Sequence, residues 1–311
     1  MPGGRSGVSP PNPATAPRID AREPTMVKLL AEAAPAKINL FLRVIGRRPD
    51  GYHEMDSIFV PVSLGDRVRI EVRPSQSPAV SLRCALASIA DPKTNLATRA
   101  AHAFMEEFGI AGHVQIDLDK AIPMGAGLGG GSSDAGAVLR MLAALFGIDA
   151  PGRMGAVAVS LGADVPFFLD PQPSRVRGIG EIIAPLEGFP TLHLVIAVPP
   201  VEVPTGPIFK ALKPAQWSGP APEEDVRAIL AGRISASLLV NDLAPVAIER
   251  HPEIGQLKEL LEESGARAAS MTGSGGAVFG VFDSAEAAAD GSERMRSKVP
   301  TARIFAVHSL P

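Results

Sequence analysis

The 311-residue sequence has a single cysteine, Cys84, so no disulfide can form within the chain. This scarcity fits a reducing cytoplasm, which is the location we expect. The sequence also lacks any apolar run near the roughly 18 residues of a membrane-spanning helix, so we predict no membrane partner. Its net charge of −3 gives no broad basic surface, so we predict no nucleic-acid partner. The six histidines show no metal-ligand spacing, and we predict no protein-bound metal.

The N-terminal stretch lacks the apolar segment of a secretory signal and is rich in Pro, Gly and Ala. Such a composition buries too little apolar surface to order itself, so residues 1–26 are predicted to form a disordered tail. Met26 directly precedes the first apolar run, and we hypothesise that translation starts there.

Beyond the tail, strand-like and helix-like patterns alternate in two halves, and the chain length favours two domains over one. Alternating apolar residues predict strands over 34–46, 57–72 (with a turn at Gly65–Asp66), 113–119, 191–198, 276–282 and 302–308. Apolar periodicity and capping residues predict helices over 94–108, 132–146, 152–161, 224–231, 241–250, 252–264 and 284–298. The proline-rich stretch 201–223 is predicted to be a loop. The pattern indicates an α+β fold with domains over 27–185 and 186–311.

A run of glycines stands where a predicted strand gives way to a predicted helix, in the order Pro123-Met124-Gly125-Ala126-Gly127-Leu128-Gly129-Gly130-Gly131-Ser132-Ser133. Glycines permit positive φ and let backbone N–H groups converge on an anion. The helix behind them adds free N–H groups and the positive end of its dipole. Ser132 and Ser133 are predicted to cap that helix, and their hydroxyls can reach phosphate oxygens or Mg²⁺. The run therefore indicates a phosphate-binding loop.

Three alternative roles for the glycine run fit the sequence less well. A flexible linker would not follow a strand and open directly into an amphipathic helix. A P-loop requires a lysine before Ser132, and none is present there. A dinucleotide-binding turn requires a second strand that ends in an acid, and residues 147–157 do not supply one.

Two charged residues outside the loop are candidates for chemistry. Lys37 lies with Asn39 on the polar face of an otherwise apolar strand, a pattern that is equally typical of a solvated outer face. Asp164 follows Gly162, which is predicted to end a helix in the left-handed conformation, and precedes Val165, which Pro166 is predicted to hold extended. The helix dipole disfavours an acid at this position, so the aspartate favours a function over a surface turn.

Two aromatic motifs are candidates for binding a nucleobase. Pro49-Asp50-Gly51 predicts a turn that presents Tyr52 and His53. A tyrosine ring can stack on a base and a histidine can bind its polar edge, although such a pair after a turn is more often structural. In the second motif, a helix that begins at Pro207 would leave Thr205 in the preceding loop and place Phe209 in the first turn, with a core role as its alternative.

Over residues 34–282 these motifs, in this order, resemble the GHMP kinase superfamily. The glycine run resembles its central motif, Ala34–Leu40 its first strand, Leu161–Phe168 its acidic loop, and Met271–Gly276 its late glycine motif. The resemblance is strongest to the members that act on a cytidine-diphosphate-linked polyol. It implies a ribosomal-S5-like N-terminal domain and an α/β-sandwich C-terminal domain with the active site between them. It also implies ATP as phosphoryl donor, Mg²⁺ carried mainly by the nucleotide, and a CDP-linked methylerythritol as acceptor.

The same resemblance implies a role for each candidate residue. Lys37 and Asp164 would be catalytic, the first by neutralising charge and the second as general base. The acceptor would be bound by Asn39, Tyr52, His53, Thr205 and Phe209. ATP would be bound by Asn95, Lys120, Pro123, Met124, Gly125, Ala126, Gly127, Leu128, Gly129, Gly130, Gly131, Ser132 and Ser133. Helix capping by Asn95 and a solvated charge at Lys120 account equally well for those two residues.

Two alternatives in function stay open at this stage. Another GHMP kinase, of homoserine or mevalonate type, would share the loop, but its substrate carries no base for Tyr52 and His53 to hold. A catalytically silent nucleotide-binding module would have no need of both Lys37 and Asp164. We expect a monomer or a weak homodimer.

Overall fold

The computed structural model describes residues 26–86, 91 and 93–311, so the tail predicted over 1–26 lies outside the described residues except for Met26. The strands are β1 Lys28–Arg47, β2 His53–Arg73, β3 Ala79–Cys84, β4 His113–Asp119, β5 Ser174–Gly178, β6 Ile182–Pro185, β7 His193–Val198, β8 Ala268–Met271, β9 Val278–Phe282 and β10 Arg303–His308. The helices are α1 Leu96–Phe108, α2 Gly130–Phe146, α3 Pro151–Leu161, α4 Thr205–Ala211, α5 Glu223–Leu230, α6 Ala244–Arg250, α7 Pro252–Glu263 and α8 Ala285–Lys298. The predicted α+β class is confirmed.

Two long antiparallel strands, β1 and β2, organise the first sheet, whose order is β3-β4-β2-β5-β6 with β1 paired to β2. The predicted turn at Gly65–Asp66 is wrong, because β2 continues through it. The register shifts there instead, from Pro35 opposite Gly65 to Ala36 opposite Val62, which marks a β-bulge. A Cβ on Gly65 would lie 3.0 Å from the Ala34 carbonyl oxygen, so the glycine permits the close approach of the two strands.

Helices α1, α2 and α3 cover one face of this sheet. Ile70 and Ile116 of the sheet pack with Phe104 of α1 and Leu142 of α2 in a continuous core. Helix α1 ends at Gly109, whose φ of 62° is left-handed, as a glycine at this position allows. The core fixes where α2 begins and thus where the glycine run stands.

The second sheet has the order β10-β7-β9-β8 and is antiparallel throughout. Helices α7 and α8 pack on its outer face through residues such as Leu257, Leu261 and Met295, and α6 packs against α7. The predicted loop over 201–223 is wrong in part, because α4 and a short 3₁₀ helix, Pro214–Gln216, form inside it. Four strands lie outside the predicted ones, namely β3, β5, β6 and β8, and each has six residues or fewer.

A shared core joins the two sheets. Ile38 and Leu40 of β1 pack with Ile196 of β7 and Phe279 of β9. Every residue of β1 from Ala34 to Leu42 is buried, so the polar side chains in that stretch are enclosed. Domain boundaries at 27–185 and 186–311 remain a prediction.

A buried ion pair of the first sheet also binds the segment around the start of α5, in the second half of the chain. Arg175 of β5 donates to both carboxylate oxygens of Asp56 in β2, at 2.9 and 2.7 Å. The same carboxylate accepts the backbone N–H of Ala221, just before α5, at 2.9 Å. Arg175 also pairs with Glu223 of α5. Within the described ranges, no helix is both long and apolar enough to cross a membrane.

Candidate active site

The glycine loop, residues 123–131, forms the wall between two cavities. The loop cavity, which is lined by Asn95, Lys120 and the loop itself, has a volume of about 300 Å³. The cleft cavity, whose lining includes Lys37 and Asp164, has a volume of about 530 Å³. Gly127 and Gly129 line both of them. A ligand in one cavity and a ligand in the other would therefore meet across two residues that have no side chains.

These two glycines stand where no other residue fits. Gly129 has a φ of +74°, and a Cβ there would lie 2.9 Å from the Phe168 ring and 3.2 Å from Lys37 Cγ. Gly127 has a φ of +79°, and its Cβ would lie 2.6 Å from the Thr272 carbonyl oxygen. Both the backbone conformation and the packing exclude a side chain.

The late glycine motif, residues 271–276, packs directly on the loop. A Cβ on Gly275 would lie 2.3 Å from the Gly127 backbone nitrogen. Ala277 N donates to Ala126 O at 3.2 Å, and the buried Asn241 Nδ2 donates to the carbonyls of Met271 and Gly273 at 2.8 and 2.9 Å. The motif thus holds the loop from the C-terminal half of the chain.

Most of the predicted ATP residues line the loop cavity, namely Pro123–Gly131, Asn95 and Lys120. Asn95 also caps α1, since its Oδ1 accepts the Ala97 N–H at 2.9 Å, so capping and lining coexist. Ser132 and Ser133 do not line the cavity. Their predicted capping role is wrong, because α2 begins at Gly130 and Gly129 is its N-cap without any side-chain bond.

Lys120 is not the solvated charge that the sequence allowed. Its side chain is 5% exposed, and its Nζ pairs with Asp66 and, at 2.5 Å, with Asp134. Asp66 Oδ1 also accepts the N–H groups of Ala121 and Ile122, at 2.6 and 2.8 Å. These three charged residues tie β2, the end of β4 and the first turns of α2 together beneath the glycine loop.

Burial and the neighbouring charges shift the pKa values of Lys120 and Asp134. Burial alone would lower the pKa of Lys120, but the carboxylates of Asp134 and Asp66 outweigh it and raise that pKa above 10.5. Burial raises the pKa of Asp134 to about 7; Lys120 opposes the rise and the nearby Asp66 adds to it. The Oδ1 atom of Asp134 is buried and has no hydrogen-bond partner among the described residues.

The cleft cavity brings together every residue predicted to be catalytic or to bind the acceptor. Its lining includes Lys37, Asn39, Tyr52, His53, Asp164, Thr205 and Phe209. These residues come from both halves of the chain. Lys37 Nζ lies 3.6 Å from Asp164 Oδ2.

Lys37 is enclosed, so a solvated outer face is excluded for this part of β1. Its side chain is 4% exposed, its Nζ donates to Asn39 Oδ1 at 2.6 Å, and it lies over the Phe59 ring at 4.7 Å. Asn39 is held in turn by Ser57, whose Oγ accepts from Asn39 Nδ2 at 2.9 Å, and by Thr272, whose Oγ1 accepts from Asn39 N at 2.8 Å. The ammonium therefore has one fixed position.

Asp164 reaches the cavity by a backbone path that differs from the predicted one. Gly162 has a φ of 167°, which is extended, not left-handed. Val165 has φ −62° and ψ −39°, so it is helical despite Pro166, and it leads into a 3₁₀ turn over Pro166–Leu169. A single turn after α3 replaces the predicted extended segment, and Phe167 and Phe168 anchor it in the core.

The aromatic wall of the cleft cavity is formed by Tyr52, His53 and Phe209. The rings of His53 and Phe209 lie 5.4 Å apart, and Trp217 meets His53 edge-on at 6.2 Å. Tyr52 is 59% exposed at the cavity edge. Burial and the nearby charge of Arg47 lower the pKa of His53 below 6.5, so its imidazole is neutral at pH 7.

Thr205 differs from its predicted setting, since it is the first residue of α4 and not part of the preceding loop. The helix begins two residues before Pro207, because Pro204 is its N-cap. Ser274 Oγ donates to Thr205 Oγ1 at 2.8 Å, which links α4 to the late glycine motif.

Several residues of the site are not predictable from the sequence. Asp66 follows the glycine of the wrongly predicted turn, and Asn241 carries no local signal of its contacts. Trp217 is the only tryptophan of the chain, and its position behind His53 depends on the fold of 201–223. Thr272 and Ser274 do stand in the late glycine motif, and that motif is the one signal that could have found them.

Comparisons with known proteins agree with this fold. The model of the GHMP kinase N-terminal domain matches residues 95–170, and that of the GHMP kinase C-terminal domain matches 225–301. A 4-diphosphocytidyl-2-C-methyl-D-erythritol kinase from Anaeromyxobacter dehalogenans is 44% identical over 260 residues, which cover 81% of this chain and 80% of that protein.

Solved structures give the same result. A crystal structure of a 4-(cytidine 5'-diphospho)-2C-methyl-D-erythritol kinase matches with a TM-score of 0.77 and 36% identity, over 91% of this chain and 100% of that chain. A homoserine kinase from Cytophaga hutchinsonii matches with a TM-score of 0.70 but 18% identity, over 93% of this chain and 96% of that one, and so shares the fold alone.

The two sheets, the glycine loop between two cavities and both domain matches define the class of GHMP kinases. Within that class, the chain belongs to the family of 4-diphosphocytidyl-2-C-methyl-D-erythritol kinases.

Proposed function

We propose that this protein transfers the γ-phosphoryl group of ATP to the 2-hydroxyl of 4-diphosphocytidyl-2-C-methyl-D-erythritol (CDP-ME). The product is the 2-phosphate, a step in isoprenoid precursor synthesis. The observation that carries the proposal is the Lys37–Asp164 pair, 3.6 Å apart in a cavity that only the glycine loop separates from a second one. The names of the relatives supply the substrate.

ATP binds in the loop cavity in this proposal. Helix α2 runs from Gly130 to Phe146, so its dipole points its positive end at the loop. The N–H groups of Gly130, Gly131 and Ser132 lie in the first turn, where no carbonyl of the same helix can accept them. They are suited to phosphate oxygens, and the positive φ of Gly127 and Gly129 lets the phosphates approach the backbone closely.

Mg²⁺ enters this site with the nucleotide. No group of three or more histidine, cysteine, aspartate or glutamate side chains that could hold a metal occurs in the described part of the chain. The phosphates would therefore supply most of its ligands, and the ion would neutralise charge on them. Asp164 and Asp134 are the carboxylates that line the cavities beside the loop, and Asp134 is already paired with Lys120.

The acceptor hydroxyl lies beside Asp164 in this proposal. The carboxylate orients the hydroxyl and accepts its proton as the oxygen attacks the γ-phosphorus in line. Lys37, fixed by Asn39 and Phe59, stabilises the negative charge that develops between the two reactants. Phosphoryl transfer needs little else than this positioning and charge neutralisation.

The cytosine ring of the acceptor binds at the aromatic wall. Phe209 offers a ring face and His53 a neutral imidazole whose nitrogens can bind the polar edge of the base. Tyr52 covers the base at the cavity edge, and Thr205 contacts the substrate from the start of α4. All of these residues come from one chain, so we expect a monomer or a weak homodimer to be active. We expect the protein to act in the cytoplasm.

The test is transfer of labelled phosphate from [γ-³²P]ATP to CDP-ME, with homoserine and mevalonate as competing acceptors. We expect CDP-ME alone to be phosphorylated, and ³¹P NMR of the product to show a phosphomonoester at the 2-position. Equal or better turnover of homoserine or mevalonate would replace this proposal with another GHMP kinase activity. No transfer to any of the three would indicate a silent nucleotide-binding module.

A further inference from the structure

Two cations of the cleft cavity, Arg47 and Lys210, take no part in the proposed phosphoryl transfer or in binding of the base. Both line the cavity. Neither forms an ion pair with a described residue, whereas the adjacent Arg48 pairs with Asp50 and Glu181. We propose that Arg47 and Lys210 form a binding subsite for the diphosphate of the acceptor, an inference that rests on the proposed function.

The two residues flank the aromatic wall from separate parts of the chain. Arg47 is the last residue of β1 and lies directly opposite His53 in the β1–β2 register. Lys210 follows Phe209 in α4, and the Phe209 ring lies 5.4 Å from His53. A base held by His53 and Phe209 therefore has one cation from each half of the chain beside it.

The charge balance of the cavity favours an anionic ligand. The aspartates, glutamates, lysines and arginines that line it are Lys37, Arg47, Asp164 and Lys210. Lys37 and Asp164 pair with each other, which leaves Arg47 and Lys210 uncompensated in a protein of net charge −3. A diphosphate diester carries about two negative charges at neutral pH, and guanidinium and ammonium groups are its usual partners.

The order of groups in the acceptor agrees with this placement. The diphosphate lies between the cytidine and the polyol, so it must pass between the aromatic wall and Asp164. Single exposed cations contribute little to binding on an open surface. Arg47 and Lys210 differ from that case because they are exposed along the same cavity, next to the residues that would hold the base, so one diphosphate can hydrogen-bond to both at once.

The experiment distinguishes binding of the diphosphate from binding of the rest of the substrate. Arg47→Gln, Lys210→Gln and the double variant are compared with wild type for kcat, for KM of CDP-ME and for KM of ATP. Dissociation constants for CDP and for cytidine are measured by calorimetry on the same proteins. Arg48→Gln is the matched control, because it removes the neighbouring arginine, which has carboxylate partners outside the cavity lining.

We expect each single variant to raise KM for CDP-ME about tenfold, the loss typical of one charge-assisted hydrogen bond. KM for ATP and kcat should stay within about threefold of wild type. The preference of the protein for CDP over cytidine should fall by the same factor, with cytidine affinity unchanged, and Arg48→Gln should resemble wild type in every measurement.

Three outcomes would overturn the subsite. They are an equal loss of CDP and cytidine affinity, an effect of Arg48→Gln as large as that of Arg47→Gln, and a wild type with no preference for CDP over cytidine. Failure of the proposed function looks different, since wild type would then bind CDP more tightly than cytidine and yet transfer no phosphate to CDP-ME.

Discussion

Lys37 Nζ and Asp164 Oδ2 lie 3.6 Å apart, but the two side chains differ in exposure, 4% against 32%. The ammonium is enclosed by Asn39 and the Phe59 ring, while the carboxylate keeps an open edge toward the cleft cavity. A carboxylate has four lone-pair sites, so Asp164 can hold Lys37 and still accept a hydrogen bond from a hydroxyl. The pair is therefore suited to receive a substrate without being broken.

Replacing Asp164 by asparagine should lower kcat by about 10²–10⁴-fold, because the amide cannot take the proton of the acceptor hydroxyl. KM for ATP should change little, since the loop cavity does not include this residue. Steady-state assays with CDP-ME would measure both. Asp170→Asn is the matched control, because Asp170 is exposed just after the same turn and its carboxylate accepts a hydrogen bond from Gln172. An Asp164→Asn enzyme with undiminished kcat would refute the role of general base.

Replacing Lys37 by methionine should lower kcat by about 10²–10³-fold, the usual loss when one preorganised donor is removed from a reacting charge. Methionine keeps most of the buried volume beside Phe59, so the fold should persist. Circular dichroism and thermal unfolding check that point. If KM for CDP-ME rises while kcat is retained, Lys37 binds substrate and does not stabilise the transition state.

Gly129→Ala should destabilise the protein by about 2–4 kcal/mol, because alanine is strained at a φ of +74° and its Cβ would meet the Phe168 ring. It should also raise KM for ATP, since Gly129 lines the loop cavity. Urea unfolding and kinetics at varied ATP would measure the two effects. Gly155→Ala, in helix α3 with open space around its Cβ, should instead stabilise by about 0.5–1 kcal/mol. Equal effects of the two changes would contradict the assignment of a fixed loop.

KM for CDP-ME should be constant from pH 8 to pH 7 and rise only at lower pH, where His53 becomes protonated. Burial and Arg47 lower the pKa of His53, so the ring is neutral above that value and gains a proton below it. The imidazolium has no acceptor nitrogen left for the base. A His53→Gln variant should lose this dependence below pH 6.5. The same dependence of KM on pH in wild type and in His53→Gln would show that His53 does not contact the cytosine.

Asp134→Asn should change how stability depends on pH. Burial raises the folded-state pKa of Asp134 from 3.8 to about 7, so between these values the folded state binds more protons than the unfolded state. The contribution of Asp134 to stability is thus complete below pH 4 and falls as the pH rises toward 7. The free energy of unfolding of wild type, relative to the variant, should decrease by roughly 1–3 kcal/mol between pH 5 and pH 7. A constant difference in urea unfolding would contradict the raised pKa.

Local patterns in the sequence predict the elements that have strong local causes. Strand β4 has the predicted bounds, 113–119, because its apolar residues alternate cleanly. Helix α1 begins after Asn95 and ends at Gly109, since both caps act within their own turn. The glycine run lies between a strand and a helix, as predicted, because the backbone bends there in a way that only glycines allow. Helix α2 begins two residues before its predicted start, since glycines in a first turn give no propensity signal.

The strand pairing and the site cannot be predicted in the same way. Strands β5 and β6 have five residues or fewer and pair with each other, and their place in the sheet depends on the pairing of β5 with β2, which is distant in sequence. Asp164 lines the cleft cavity as expected, but its backbone path is not the predicted one, because the core position of Phe167 and Phe168 outweighs the usual effect of Pro166 on Val165.

The sequence by itself determined that the backbone here can take conformations closed to other residues, since five glycines lie between Gly125 and Gly131. Only the tertiary structure decided that Lys37 faces Asp164 and not solvent. The alternation of β1 gives two faces, and both became buried because the second sheet packs on one of them while Phe59 and the glycine loop enclose the other. Burial of a strand on both faces depends on what the rest of the chain brings to it, which no local pattern contains.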